Sequence, residues 1–435
     1  MKKRLISLVV AGMTLLAMAG CGAATPETTE TRPTTETTVA ATELSAEEQQ
    51  ILTQRREAVV QRMRDMTTFL WRSDVDITYS KQRSSTGPEN DDQKNVITLK
   101  AGRLYSGLPY THGGSSIYDW QKFATQVDEN GIYHVSGITG DMLTGYDIWE
   151  PHRSARLGTD CADAVSWAWG AVSSSMNCTQ TYEMNEAHGC IPVGVFEHDT
   201  EKHSATIQVC ESNGMNVMFA AYAQLQPGDA VVHNNTDSEN GSHAMLVSEV
   251  VVPQKSNGEP DYVNAYILTV HQTSGNLFGE KSYFDQELGE EVFYCGGVDD
   301  KYLFIKLYEK GYLPFTVKEL IDPAPLEEEW VKDSVAEPSL ETMFDGTFTA
   351  NYPISNVTVT IMDEAGQTLQ QGTCFATETE LKCFDLAHFT DPVEQTVMRG
   401  ALDVEQLAAG TYRCTFVCQL STGKELTVRD FTFTK

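Results

Sequence analysis

Apolar and polar positions change period several times along the chain. Between Ser45 and Trp71, Leu52, Val59, Met63, Met66 and Leu70 recur at threes and fours, the spacing of one helical face. Ser45 with Glu48 three residues on fits a capping box at the start. This predicts a helix over 46–73, packed on the domain that follows. "DCADAVSWAWGAV", from Asp160, predicts a second and strongly apolar helix, in which Val165, Ala168 and Val172 share a face with Cys161. Short alternating runs come next: "DAVVH" (229–233), "HAMLVSEVVV" (243–252), "VNAYILTVHQ" (263–272) and "KYLFIKLYE" (301–309). Their β-branched and aromatic content at period two predicts strands. A helix followed by antiparallel strands argues an α+β domain over 74–320.

The proline- and glutamate-rich stretch 321–339 predicts a linker. From 340 to 435 the pattern is short strands with frequent turn signals, which predicts a small all-β sandwich domain. In "SNVTVTIMDEAG", Val357, Val359 and Ile361 fall on one face. The sandwich resembles, in shape alone, the immunoglobulin-like (Ig-like) modules of bacterial surface proteins. Tyr412, Cys414, Phe416 and Cys418 share one side of a strand. Cys414 and Cys418 are roughly 13 Å apart at strand rise, too far to bridge each other. Each pairs across the sandwich with Cys374 or Cys383, or all are buried thiols.

The N-terminus carries an address. "MKKRLISLVVAGMTLLAMAGCG" sets three basic residues before an apolar run from Leu5 to Ala19, the layout of an export signal. Met18-Ala19-Gly20-Cys21 resembles the bacterial lipoprotein lipobox, which implies a signal peptide over 1–20, cleavage before Cys21 and lipidation of its sulfur. Residues 21–45, rich in Thr, Glu, Ala and Pro, cannot bury enough surface to fold and read as a disordered tether. The expected location is extracytoplasmic, on a membrane through the lipid on Cys21.

Composition narrows the partners. The 61 acidic and 31 basic side chains give a formal net charge of −30, which disfavours nucleic acid. No CxxC pair or His/Cys cluster has zinc-like spacing, so the reading calls for no metal and no cofactor. Of the ten cysteines, removing Cys21 leaves an odd number, hence at least one thiol unpaired within the chain. Cys161 is the candidate with chemistry. It stands at a helix start, where unpaired N–H groups favour a thiolate. A thiolate nucleophile needs a base and an orienting partner for that base. His243 opens one predicted strand and His271 closes the next, so antiparallel pairing would make them neighbours. His112 and His233 are alternative bases.

"GLPYTHGG" (107–114), "GTDCADAVSWAW" (158–169), "LQPGDAVVHNN" (225–235), "GSHAMLVSEV" (241–250) and "TVHQT" (269–273) resemble, in this order, the NlpC/P60 family of bacterial cell-wall cysteine peptidases. The resemblance covers about 105–310. It implies a papain-like core, a helix packed on an antiparallel sheet, with a Cys–His–polar triad. By position Cys161 is then the nucleophile, His243 the base and His271 the third member. Tyr110 would line the cleft near the oxyanion, and the Cys161 backbone N–H would be one oxyanion donor. Ala162 and Asp163 stand where the family has Ser-Gly; Asp163 is placed with Tyr110 as a substrate contact. The Cys161–His243 interval is long for the family and holds an insertion (176–210) with Cys178, Cys190 and Cys210. It reads as a surface excursion stapled by one disulfide, or as a lid. The implied function is a lipid-anchored, monomeric cysteine hydrolase acting on peptidoglycan stem peptides. The alternative is a non-catalytic wall- or protein-binding lipoprotein on a decayed peptidase scaffold.

Overall fold

The computed structural model describes residues 44–80, 96–112, 116–144, 157–176, 178, 180–198, 205–234, 241–375, 379–383 and 399–435. Cys21, the signal and the tether lie outside these residues. The chain is α+β, with a β-rich C-terminal part.

The first helix runs Ala46–Thr68. Its capping box is made: the Ser45 hydroxyl and amide engage the Glu48 carboxylate, and the Glu48 amide returns to Ser45. The apolar stripe at Val59, Met63 and Met66 is fully buried, each such side chain contributing about 1.5–3 kcal/mol. It shares one core with Val165, Ala168 and Trp169 of the second helix, Cys161–Trp169, and with Val247, Ile267 and Val270 of the central sheet. That sheet is antiparallel and six-stranded, in the order Gly296–Leu303, Tyr266–Gln272, Ser242–Val251, Ala230–Asn234, Leu313–Val317, Cys190–Pro192. A second, mixed sheet is assembled from short strands far apart in sequence, with Leu70–Ser73 and Leu104–Ser106 at its centre.

Two expectations are corrected. "KYLFIKLYE" is not one strand: the strand ends at Leu303 and a helix runs Phe304–Lys310. Phe304 and Leu307 are fully buried at helical spacing, and Gly311 closes the helix in the left-handed conformation. The linker is also shorter than read, because Val331–Asp333 pairs with Thr347–Ala350 as part of the C-terminal sandwich.

The sandwich sets a five-stranded sheet against a three-stranded one. Between them lie Val357, Val359, Ile361, Phe416 and Phe348. Cys374, Cys383, Cys414 and Cys418 are buried free thiols there. A polar network ties the sandwich to the preceding α+β part. Asn356, wholly buried, donates to Asp119 at 2.8 Å and to Gln419 at 2.7 Å, and it accepts from Lys122.

Candidate functional site

Cys161, the candidate nucleophile, is positioned by the turn before the second helix. Asp160 caps it, its Oδ1 accepting from the amides of Ala162 at 2.8 Å and Asp163 at 3.0 Å. Gly158 lies at φ +83° with a close approach on the far side: a Cβ there would meet Thr111 at 2.6 Å and the Pro109 carbonyl at 2.8 Å. Only glycine permits that approach. It lets Thr159 pair with the 109–111 segment, through Thr111 N–H to the Thr159 carbonyl (3.0 Å) and Thr159 N–H to that of Pro109 (3.2 Å). Tyr110 is thereby fixed beside the helix mouth, and its hydroxyl bonds the Cys161 sulfur. The same sulfur takes the backbone N–H of Ala244, the residue after His243.

The histidines meet through strand register. His233 lies directly opposite His243. Val270 opposes Leu246 on the other side, so continuing that register sets His271 diagonal to His243, a spacing long side chains span. His243 Nε2 is 2.8 Å from His271 Nδ1, and His271 Nε2 is 3.1 Å from Asp300 Oδ2. Lys281 closes the row, its Nζ 3.2 Å from Asp300 Oδ1. The protons follow from the chain of bonds. An ionised carboxylate only accepts, so His271 donates from Nε2 and accepts at Nδ1. His243 therefore donates from Nε2, and its Nδ1 keeps the lone pair. The basic nitrogen is thus the one not engaged by His271. His271 and Lys281 hold the Asp300 carboxyl below its usual range.

The site is buried, and burial governs its charge. The Cys161 thiol is pushed up from 9.0 to about 12, by loss of water first and the Asp160 charge second; the Ala244 amide and Tyr110 hydroxyl oppose this. A helix N-terminus is worth roughly 0.3–1 kcal/mol, under one pKa unit. On magnitude, burial outweighs the helix start. Burial, reinforced by His271, holds His243 well below its ordinary value. The resting pair is a neutral thiol and a neutral imidazole.

Asp163 lies one turn into the helix. Burial and the charges of Asp160 and Glu183 raise its carboxyl well above the usual range. The insertion is anchored on the same helix, with Ser166 Oγ donating to the Cys178 carbonyl at 2.8 Å and accepting its amide at 3.1 Å. The Cys178 and Cys190 thiols bond each other, and no disulfide joins described cysteines. A cavity of about 180 Å³ lies between this insertion and the sheet, walled by Thr181, Met184, Asn185 and Asn234. Asn234 pairs with Ser242, the neighbour of His243. His112 stands at the rim, 3.8 Å from Asp160. His233 packs on Tyr312, ring centroids 4.4 Å apart, its pKa lowered to about 4 by burial.

Sequence reasoning missed Asp300 and Lys281. Among the described residues no helix is long and apolar enough to cross a membrane.

Comparison with protein-family profiles and with curated proteins finds no match. Among solved structures, one similar chain is a tetra-tandem repeat in the extending region of a large adhesion protein, at 11% identity and a TM-score of 0.16. The likeness covers 48% of this chain and 40% of that one, and at this TM-score it carries no argument.

Proposed function

We propose that the chain is a cysteine hydrolase of NlpC/P60 type, with a papain-like core, that cleaves peptide or amide bonds of peptidoglycan stem peptides. It would act outside the cytoplasm, held to a membrane by a lipid on Cys21, with an Ig-like sandwich docked on it. The observation that supports this reading is the row His243, His271, Asp300, with the Cys161 sulfur bonded to the backbone of Ala244, the residue after His243. It combines a nucleophile, a base with its lone pair on Nδ1, and two orienting groups that stabilise the imidazolium.

In this reading the proton moves from Cys161 Sγ to His243 Nδ1 as sulfur attacks the carbonyl carbon. The Cys161 amide and the Tyr110 hydroxyl stabilise the oxyanion. The imidazolium returns its proton to the leaving amine, forming a thioester. Water, deprotonated by His243, then releases the acid and the thiol. Coupling the proton to the attack suits a resting neutral pair, since neither charge is buried before substrate arrives. The insertion and Asp163 would set specificity.

The second reading is a binding lipoprotein on a decayed scaffold. The burial of Cys161, 5% exposed, favours it. Mass analysis of a sacculus digest separates the two. The proposal expects released muropeptides with the wild-type protein and none with Cys161→Ala or His243→Ala, both folded by circular dichroism. Full release by either variant would end it.

A further inference from the structure

The first helix carries four arginines, and three are satisfied. Arg55 donates to three backbone carbonyls, Arg56 to two carbonyls and Asp229, and Arg64 to Asp299. Arg62 differs. Its Nε and Nη2 are enclosed and have no hydrogen-bond partner. Its guanidinium lies 3.6 Å over the ring of Trp167, six residues beyond Cys161 on the second helix. Burial lowers its pKa to about 9, so it remains a cation at neutral pH. A stacked ring relieves part of the cost of burying such a charge, but a guanidinium has five N–H donors in a planar fork and no use for a π face at its edge.

Arg62 lines a cavity of about 480 Å³ where the first helix, the 326–329 segment and the sandwich converge. That lies within the size range of small-molecule sites. The walls also hold Asp65, Tyr118, Glu327, Glu329 and Tyr352. Glu327 is engaged by Trp330 and Ser174, and Asp65 by Gln61. Among the described residues Glu329, on the same wall, has no hydrogen-bond or ion-pair partner. The cavity thus offers one unpaired cation and one unengaged carboxylate across an aromatic wall. A plain polyanion would meet three carboxylates, and a plain cation would meet Arg62. A ligand with a carboxylate at one end and an ammonium at the other satisfies both.

We propose that this junction cavity binds a zwitterionic amino acid or dipeptide, its carboxylate on Arg62 and its ammonium on Glu329. The site is separate from the Cys161 row and independent of the hydrolase reading. Its location gives it a consequence: the ligand would bridge the preceding α+β part and the sandwich.

The test is calorimetric titration of the full chain, carrying Cys161→Ala so that turnover contributes nothing. The probes are alanyl-alanine, its N-acetyl form and its C-terminal amide. Saturable binding of the free dipeptide is expected, weakened about tenfold to hundredfold when either end is blocked, the worth of one charged hydrogen bond. Arg62→Gln should give the same loss for the free dipeptide. Because Arg62→Gln also removes a buried side chain, Glu329→Gln on the wall is the second variant: it should erase the preference for the free amine over its N-acetyl form. No saturable binding by folded protein, or binding unchanged in both variants, overturns the proposal.

Discussion

The charge state of Cys161 is the most exposed consequence of the geometry. A rise from 9.0 to about 12 leaves about a thousandth of the thiolate an ordinary thiol would show at neutral pH, about 4 kcal/mol at 1.36 kcal/mol per unit. The perturbation that isolates a cause is Asp160→Asn. Asparagine caps a helix as well as aspartate does, so the two amides of Ala162 and Asp163 keep an acceptor. The second-largest upward influence on the thiol is removed.

Site-resolved alkylation by iodoacetamide, read from the mass of the Cys161 peptide, gives the rate. In the wild type it should rise about tenfold per pH unit through neutral and mildly alkaline conditions without levelling, since the thiolate is the reacting species. Asp160→Asn should be about tenfold faster at the same pH. With substrate, the acid limb of kcat/KM reports the base of the free enzyme. His243 is held below its ordinary 6.5, so activity should persist to lower pH than a free imidazole would allow and be lost as pH falls through the lowered value. An alkylation rate that levels off at or below neutral pH would mean a preformed thiolate–imidazolium pair, and the argument from burial would be wrong.

Asp300→Asn should lower kcat about tenfold to hundredfold with little change in KM, because it removes a charged hydrogen bond from His271 and not a substrate contact; steady-state kinetics on a muropeptide check this. Asp229→Ala leaves the buried Arg56 without its 2.8 Å partner and should cost about 3–5 kcal/mol in urea unfolding. An unchanged midpoint would mean that Arg56 is held by the Pro227 and Leu320 carbonyls alone. Oxidised glutathione should convert the Cys178 and Cys190 thiols to a disulfide, the two protons and two electrons going to form two molecules of reduced glutathione. Closing so short a loop is worth about 3 kcal/mol. Non-reducing peptide maps should show the joined peptides and thermal unfolding the gain; separate peptides after oxidation would refute it.

What the sequence disclosed and what it hid divide along physical lines. The capping box at Ser45 and the stripe at Val59, Met63 and Met66 are local, so spacing reveals them. The His243–His271 pair is nearly local, because two consecutive antiparallel strands fix where their ends meet. Asp300 is different. Thr269 pairs with Asp300 but Val270 pairs with Val298, so Asp299 is bulged out at φ +53°. The bulge brings the Asp300 carboxylate to His271, and nothing in "VDDKY" marks one. "KYLFIKLYE" misled for a related reason: Tyr302 and Phe304 are two apart, as on a strand, while Phe304 and Leu307 are three apart, as on a helix. The charge state of Cys161 was hidden more deeply. A helix start and two histidines are visible in one dimension and all argue for a thiolate. The closure of Tyr110, held by the 109–111 segment, and of the Ala244 backbone around the sulfur is assembled from parts scattered along the chain. That closure removes the water a thiolate needs, and it outweighs the helix. In the proposed reading the charge forms only when substrate supplies an oxyanion to share the site with it, and the burial that keeps the thiol neutral at rest is what gives the His243–His271–Asp300 row its work.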